Sequence, residues 1–195
     1  LTYSTYPIKE TDTVLIHAAA GGVGLLLVQM AKARGAKVFG TVSTPDKADI
    51  AWGAGADKII LYTEQNFGTK VKSFTNGRGV DVVYDAVGLS TYEQSLTSLR
   101  PRGTLVLFGQ SSGSVPPINP LILSQKGSLY LPRPTLVNYT ATREEFHQRA
   151  KDMFEMVQSG RLNIRVDKTL PLSEATEAHQ LLEERKTSGK LLLIP

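Results

Sequence analysis

Residues 13–35 read TVLIHAAAGGVGLLLVQMAKARG. An apolar run, Thr13–Ala18, gives way to small residues and then to a segment in which Val23, Leu26, Leu27, Met30 and Ala31 recur at helical spacing. Gly35 is placed to end that helix. The stretch predicts strand, tight turn and helix. Small residues at such a turn let the backbone fold sharply off the strand. They also let a pyrophosphate reach the N–H groups at the helix mouth, where the helix dipole favours its charge, without meeting a Cβ. Leu27 stands where G-x-G-x-x-G needs its last glycine, so the match is to A-x-x-G-x-x-G through Ala18, Gly21 and Gly24. A glycine turn alone can be packing; between a strand and a helix, with more such units following, it points to a dinucleotide.

Those further units are present. Lys37–Val42 reads as a second strand, and Thr44-Pro45 opens a helix with a capping hydroxyl and a first-turn proline. Lys58–Leu61, Val82–Ala86 and Thr104–Phe108 read as strands three to five, with helices over Gln65–Phe74 and Tyr92–Leu99 between them. After a Gly/Pro/Ser-rich connection over 109–120, Ser128–Leu131 offers a sixth strand. Strands apolar on both faces that alternate with helices predict an α/β fold: a six-stranded parallel sheet with helices on both faces.

Pro132-Arg133-Pro134 breaks the pattern. Beyond it, Thr142-x-x-Glu145 is a capping box before a helix with Phe146, Ala150, Met153, Phe154 and Val157 on one face. Arg165–Leu170 reads as a strand, Ser173–Lys186 as a helix with Ala175, Ala178, Leu181 and Leu182 inward, and Leu191–Ile194 as a last strand. A tail of about sixty residues has too small a core to stand alone, so residues 133–195 are expected to pack on something else.

The chain has 195 residues, of which 41% are hydrophobic and 21% charged, a globular rather than disordered composition. No apolar run is long enough to cross a bilayer. The absence of cysteine excludes a disulfide framework, a thiol nucleophile and a cysteine zinc site within these residues. The chain begins at Leu1 without a signal-peptide pattern, so the expectation is part of an intracellular, cytoplasmic protein. A net charge of +4 suits an anionic ligand but decides nothing, and no Lys/Arg block marks a nucleic-acid tail.

The second strand bears on which dinucleotide. NAD binders carry an acid about 20 residues past the glycines for the ribose hydroxyls. Here the region is Thr41-Val42-Ser43-Thr44, followed by Lys47, which favours the 2′-phosphate of NADPH; Asp46 is the counter-argument and also fits as a first-turn acid. Gly109-Gln110-Ser111-Ser112-Gly113 follows the fifth strand, where parallel sheets place ligand loops. His17 reads as a packed, hydrogen-bonded histidine, His147 and His179 as solvated, Tyr84-Asp85 as structural, and Glu183–Lys186 as a solvated helix end.

Together DTVLIHAAAGGVGLLLVQMAKARGAKVFGTVST, GVDVVYDAVG, SLRPRGTLVLFGQSSG, QKGSLYLPRPTL and SGKLLLIP resemble the zeta-crystallin-like NADPH:quinone oxidoreductases of the medium-chain dehydrogenase/reductase superfamily. The resemblance implies that residues 1–132 are a cofactor-binding domain with a Rossmann doubly wound parallel six-stranded sheet, and that residues 133–195 are the returning part of a GroES-like catalytic domain whose larger, N-terminal half lies outside this sequence. It implies NADPH as cofactor, with the pyrophosphate on the turn formed by Ala20, Gly21, Gly22, Val23 and Gly24. Ser43, Lys47 and Arg185 would hold the 2′-phosphate and Tyr62 would flank the adenosine. Val87, Gly109, Gln110, Ser111, Arg133, Pro134 and Thr135 would line the adenine–nicotinamide track. Gln110 departs from the Asn expected there. The resemblance further implies no metal, a homodimer joined through the edge strand 128–131, and a quinone or enone acceptor. Catalytic residues would come from the absent domain. Two other readings are an enoyl or 2-alkenal reductase and a non-catalytic role as an AU-rich RNA binder or lens protein, although no aromatic-plus-basic motif supports RNA.

Overall fold

The computed structural model describes residues 1–195. Five parallel strands form the main sheet: β1 (Thr13–Ile16), β2 (Lys37–Val42), β3 (Lys58–Leu61), β4 (Val80–Asp85) and β5 (Leu99–Leu107), in the order β3-β2-β1-β4-β5. Helices α1 (Gly22–Ala33), α2 (Pro45–Gly53), α3 (Phe67–Phe74) and α4 (Tyr92–Ser98) connect them. Alternation along each strand divides the core. Val14, Ile16, Val38, Val82, Tyr84 and Val106 meet Leu27, Val28, Ala31, Ala48 and Ala51 of α1 and α2. Leu15, Phe39, Val83 and Leu105 meet Phe67, Val71 and Leu96 of α3 and α4 on the opposite face. β1 pairs with β2 on one side and β4 on the other, so the chain's direction of winding reverses there. A crevice at the carboxyl ends of the strands follows from that reversal.

The sheet has five strands rather than the expected six. Segment 128–131 does run beside β5: Tyr130 N–H donates to Gly103 O at 3.0 Å, Leu105 N–H to Tyr130 O at 2.9 Å, and Leu107 N–H to Pro132 O at 3.1 Å. Only an isolated bridge, Thr104 to Tyr130, is formed. The next donor in the ladder would be residue 132, which is proline and has no N–H, so pairing stops. The buried stripe of α1 is also one residue off the expected one. Gly24, Leu27, Val28 and Ala31 face the sheet, with Leu25 beside them, while Val23 is 47% exposed and Leu26 and Met30 are only partly covered.

The connection after β5 carries α5 (Leu121–Gln125), and the tail adds α6 (Arg143–Gln158), α7 (Ala175–Glu183) and a parallel pair, β6 (Val166–Pro171) with β7 (Lys190–Ile194). Thr142 caps α6 as expected, its hydroxyl accepting from Glu145 N–H at 3.1 Å. The apolar face of α6 is not covered: Phe146 and Phe154 are 55% and 66% exposed, and Met156 is the one buried residue of the helix. Leu182, expected inward on α7, is half exposed. No helix is long and apolar enough to cross a membrane.

At the amino ends of the strands, the buried carboxylate of Asp81 accepts from Thr13 N–H (2.8 Å), Arg78 Nη2 (2.7 Å) and Arg100 Nε (2.5 Å). Burial alone would raise its pKa, but these donors outweigh burial and hold it below the usual carboxylate value. The cluster ties β1, β4 and β5 together at one end. Asp81→Asn should lower unfolding free energy in urea titrations by about 2–3 kcal/mol, since it strands two partly buried guanidinium groups.

Candidate functional site

The turn after β1 is built by close approach. A Cβ at Gly24 would lie 2.1 Å from Ala18 O, so only glycine lets α1 begin against the end of the strand. Gly22 is short for a different reason: its Cβ would meet Gly189 O at 3.0 Å and Lys190 Cδ at 3.3 Å, where the C-terminal segment crosses the helix mouth. Ala18 has a φ of 51°, a left-handed conformation that L-residues other than glycine seldom adopt. Gly21 precedes α1 without any side-chain cap, and the first turn of α1 carries no acid. The N–H groups there are available to an anion.

In front of this mouth lies a cleft of about 1040 Å³. Among the expected residues, Ala20, Gly21, Ser43, Lys47, Tyr62, Val87, Ser111 and Arg185 line it. Gly22, Val23 and Gly24 form the start of α1 beside the cleft without lining it. Gly109, Gln110, Arg133, Pro134 and Thr135 stand outside the wall. Arg133 is turned back onto the end of β5, donating to Leu107 O at 2.9 Å and to Gln110 Oε1 at 3.4 Å. Gly109 packs so tightly on Ala86 that a Cβ would meet its carbonyl at 2.4 Å.

The loop after β3 was missed. Thr63, Glu64, Gln65 and Asn66 all line the cleft, and Thr63 Oγ1 donates to Ser43 O at 3.0 Å. That loop follows the carboxyl end of a parallel strand, the same rule that singled out 109–113, and applying it after every strand would have found it. His17 and Thr41 also line the cleft, as do Ser90, Thr91 and Thr187, which nothing in the sequence singled out.

The tail supplies one side of the cleft. Lys47 Nζ donates to Arg185 O at 2.5 Å, joining α2 to the end of α7. Arg185 N–H donates to Leu182 O and Lys186 N–H to Leu181 O, the paired bonds of a Schellman ending. Arg185 occupies the left-handed position of that motif, with φ 58°, where glycine would be unstrained. Glu183–Lys186 are all exposed, as the solvated helix end expected from composition, and within that end Arg185 lines the cleft edge in a conformation that glycine would hold without strain.

Beneath the cleft is a buried polar chain. Asp85 accepts from Val87 N–H (2.8 Å), Gly88 N–H (3.0 Å), Thr91 Oγ1 (2.8 Å) and Ser95 Oγ (3.0 Å). Ser95 Oγ lies 2.9 Å from His17 Nε2, and His17 Nδ1 lies 2.9 Å from Thr41 Oγ1. Burial lowers the pKa of His17, opposed by the charge of Asp85. The packed reading of His17 is correct. His147 Nε2 accepts from Arg143 Nε, four residues earlier on α6, at 3.2 Å.

A family profile described as zinc-binding dehydrogenase matches residues 22–157, and the chain belongs to that family. Among curated relatives, it is 48% identical to quinone oxidoreductase 1 of Escherichia coli (strain K12) over 197 residues, covering 100% of this chain and 60% of the relative. It is 43% identical to a 2-haloacrylate reductase of Burkholderia sp., covering 100% of this chain and 59% of that one. A mycobacterial structure in complex with NADPH superposes with a TM-score of 0.96 at 48% identity, covering all of this chain and 61% of its own. The chain thus spans about 60% of the length of the relatives it matches. Zinc, which the family's description names, does not fit these residues. Cysteine is absent, and no three of the His, Asp and Glu side chains converge to hold a metal ion.

Two tests follow. Ala18→Gly removes left-handed strain and should raise unfolding free energy by about 0.5–1 kcal/mol in chemical denaturation. His17 has a folded-state pKa below its ordinary 6.5, so the unfolded chain binds more protons as pH falls below that value. Its contribution is full above pH 6.5 and declines on acidification; the melting temperature of the chain should fall more steeply below that pH than that of His17→Gln.

Proposed function

We propose that this chain is the NADPH-holding part of an oxidoreductase that reduces quinones. The observation that carries the reading is the meeting, in one cleft, of an uncapped helix mouth with Ser43, Lys47 and Arg185 at its α2 end. The mouth suits a pyrophosphate, and a hydroxyl with two cations suits the 2′-phosphate that separates NADPH from NADH. The relatives named quinone oxidoreductase and the NADPH complex of the mycobacterial neighbour support it. NADPH supplies the hydride when bound. The residues of this chain bind it, orient it and keep its phosphates paired. Residues 1–132 form the cofactor domain on this reading, and 133–195 belong to a GroES-like catalytic domain that would bring the groups contacting the quinone.

The 2-haloacrylate reductase relative favours a second acceptor class, a conjugated alkene, reduced by the same hydride. Both acceptors are electron-poor π systems, so the cofactor side of the reaction is common to them. Segment 128–131 offers an outer edge beyond β5 on which a second copy could pair, which supports a homodimer. A cytoplasmic site suits a reductase fed by soluble NADPH, and independence from zinc suits the residues present.

Calorimetric titration tests the cofactor reading. NADPH should bind more tightly than NADH, and Lys47→Ala should cost about 1.5–3 kcal/mol for NADPH with little change for NADH. Arg185→Gly should also weaken NADPH while leaving the chain as stable as before or more so, because the strained φ is relieved. Equal affinity for the two cofactors, unchanged by Lys47→Ala, would sink the assignment of the 2′-phosphate.

A further inference from the structure

The chain of Thr41, His17, Ser95 and Asp85 is costly where it stands. All four residues are buried, His17 and Thr41 in the floor of the cleft and Ser95 and Asp85 beneath it, beside apolar residues such as Leu15, Phe67 and Leu96. Apolar residues of similar size would fill that space without desolvating a carboxylate, an imidazole and two hydroxyls. Packing alone gives no reason for the four to be polar.

The direction of the bonds shows what they do. Asp85, as a carboxylate, only accepts, so the Ser95 hydroxyl donates to Oδ2 and must itself accept from His17 Nε2–H. His17 Nδ1 then carries no proton and accepts the Thr41 hydroxyl. One tautomer satisfies every member. The edge of Phe67 against the imidazole, with centroids 4.7 Å apart, fixes the ring plane. At the far end, Asp85 Oδ1 binds the N–H groups of Val87 and Gly88, and Gly88 has a φ of 87°. Val87 O in turn accepts from Ser112 Oγ, which also accepts from Ser90 N–H. Val87, Ser90, Thr91 and Ser112 all line the cleft on the side away from Lys47 and Arg185. The polar chain therefore runs from the end of β2, under the glycine turn, to the rim built by β4 and β5.

We propose that His17 is a positioning residue for the nicotinamide half of the cofactor, acting through Ser95 and Asp85 on the Val87–Gly88 turn. The inference rests on the cofactor reading above, which places the phosphate-bearing adenosine half at Ser43, Lys47 and Arg185 and the nicotinamide half at the opposite rim. His17 lies in the cleft's floor between the two halves, and its ring nitrogens are both taken by Thr41 and Ser95. It holds Asp85 and Ser95 in the one arrangement that fixes the turn, and burial favours its neutral form.

The experiment compares two ligands on the full chain: NADPH, which fills both halves, and 2′,5′-ADP, which fills only the adenosine half. Binding is measured by calorimetry on variants shown to be folded by circular dichroism. His17→Leu and Ser95→Ala should each weaken NADPH about ten-fold, the equivalent of one hydrogen bond, while 2′,5′-ADP changes less than about two-fold. His17→Gln keeps a donor and an acceptor and should return NADPH to within about three-fold of the unsubstituted chain. If His17→Leu does not fold, Ser95→Ala carries the same comparison, since it removes a single oxygen. Equal weakening of both ligands would show general loosening and overturn the inference, as would unchanged NADPH affinity in folded variants. Failure of the unsubstituted chain to bind either ligand would overturn the cofactor reading itself, and this inference with it.

Discussion

A van der Waals limit at the end of β1 governs the geometry of everything above the sheet. The carbonyl of Ala18 occupies the space that any side chain at residue 24 would need, so α1 can start only where Gly24 meets it. That contact sets the angle at which α1 leaves the strand, and therefore which residues of the helix reach the sheet. Gly24, Leu27, Val28 and Ala31 follow as the buried stripe, and Val23 is left at the open mouth. The same limit points the free N–H groups of the first turn into the crevice where the winding of the sheet reverses. Two glycines in one short motif thus answer to different neighbours: Gly24 to the strand it leaves, Gly22 to the C-terminal segment that crosses above it.

Around the cleft, residues hold conformations that a purely stable chain would give to glycine. Ala18 and Arg185 both have positive φ, and both line the cleft. Each costs roughly 1 kcal/mol or more against glycine. At residue 185 the chain carries a cation at the cleft edge where glycine would carry no charge. The buried polar chain under the floor is a second expense of the same kind. Hydrogen bonding makes it tolerable only because each donor meets an acceptor, from Thr41 through His17 and Ser95 to Asp85.

Most of the sheet was legible because its strands are apolar on both faces and separated by amphipathic segments, a pattern that only a covered parallel sheet requires. β2 and β3 fall where periodicity put them, and Thr44 and Thr142 cap the helices they were expected to cap. The sixth strand was over-read because hydrophobicity is preserved through Leu131 while the defect is a single missing proton, the N–H that Pro132 lacks. The stripe of α6 was read correctly as a stripe, but whether a stripe is covered depends on what lies opposite, and Phe146 and Phe154 lie open. At the site, Ser43 and Lys47 were legible from chemistry, whereas Thr63–Asn66 carry no distinctive composition and are marked only by their place after a strand. Arg185 could not be told from a solvated end by composition, because its strained φ is a property of the backbone rather than of the sequence.

The two walls of the cleft come from distant parts of the chain, and that separation has a thermodynamic consequence. The floor and one wall belong to the β1–β5 sheet, while Leu182, Glu183, Arg185 and Thr187 arrive from the end of α7 and the turn beyond it. Contacts between the tail and the sheet unit include Lys47 to the Arg185 carbonyl, Gln29 to the backbone of Asn163, Arg149 to the Ser4 hydroxyl, and Gly189 seated against Gly22. A ligand touching both walls binds the docked arrangement and not an undocked one, so its binding energy also stabilises docking. Reciprocally, whatever strengthens docking pre-organises the site. The small Gly22 lets the C-terminal segment approach within contact of the helix mouth, and so allows the second wall of the cleft to stand where it does.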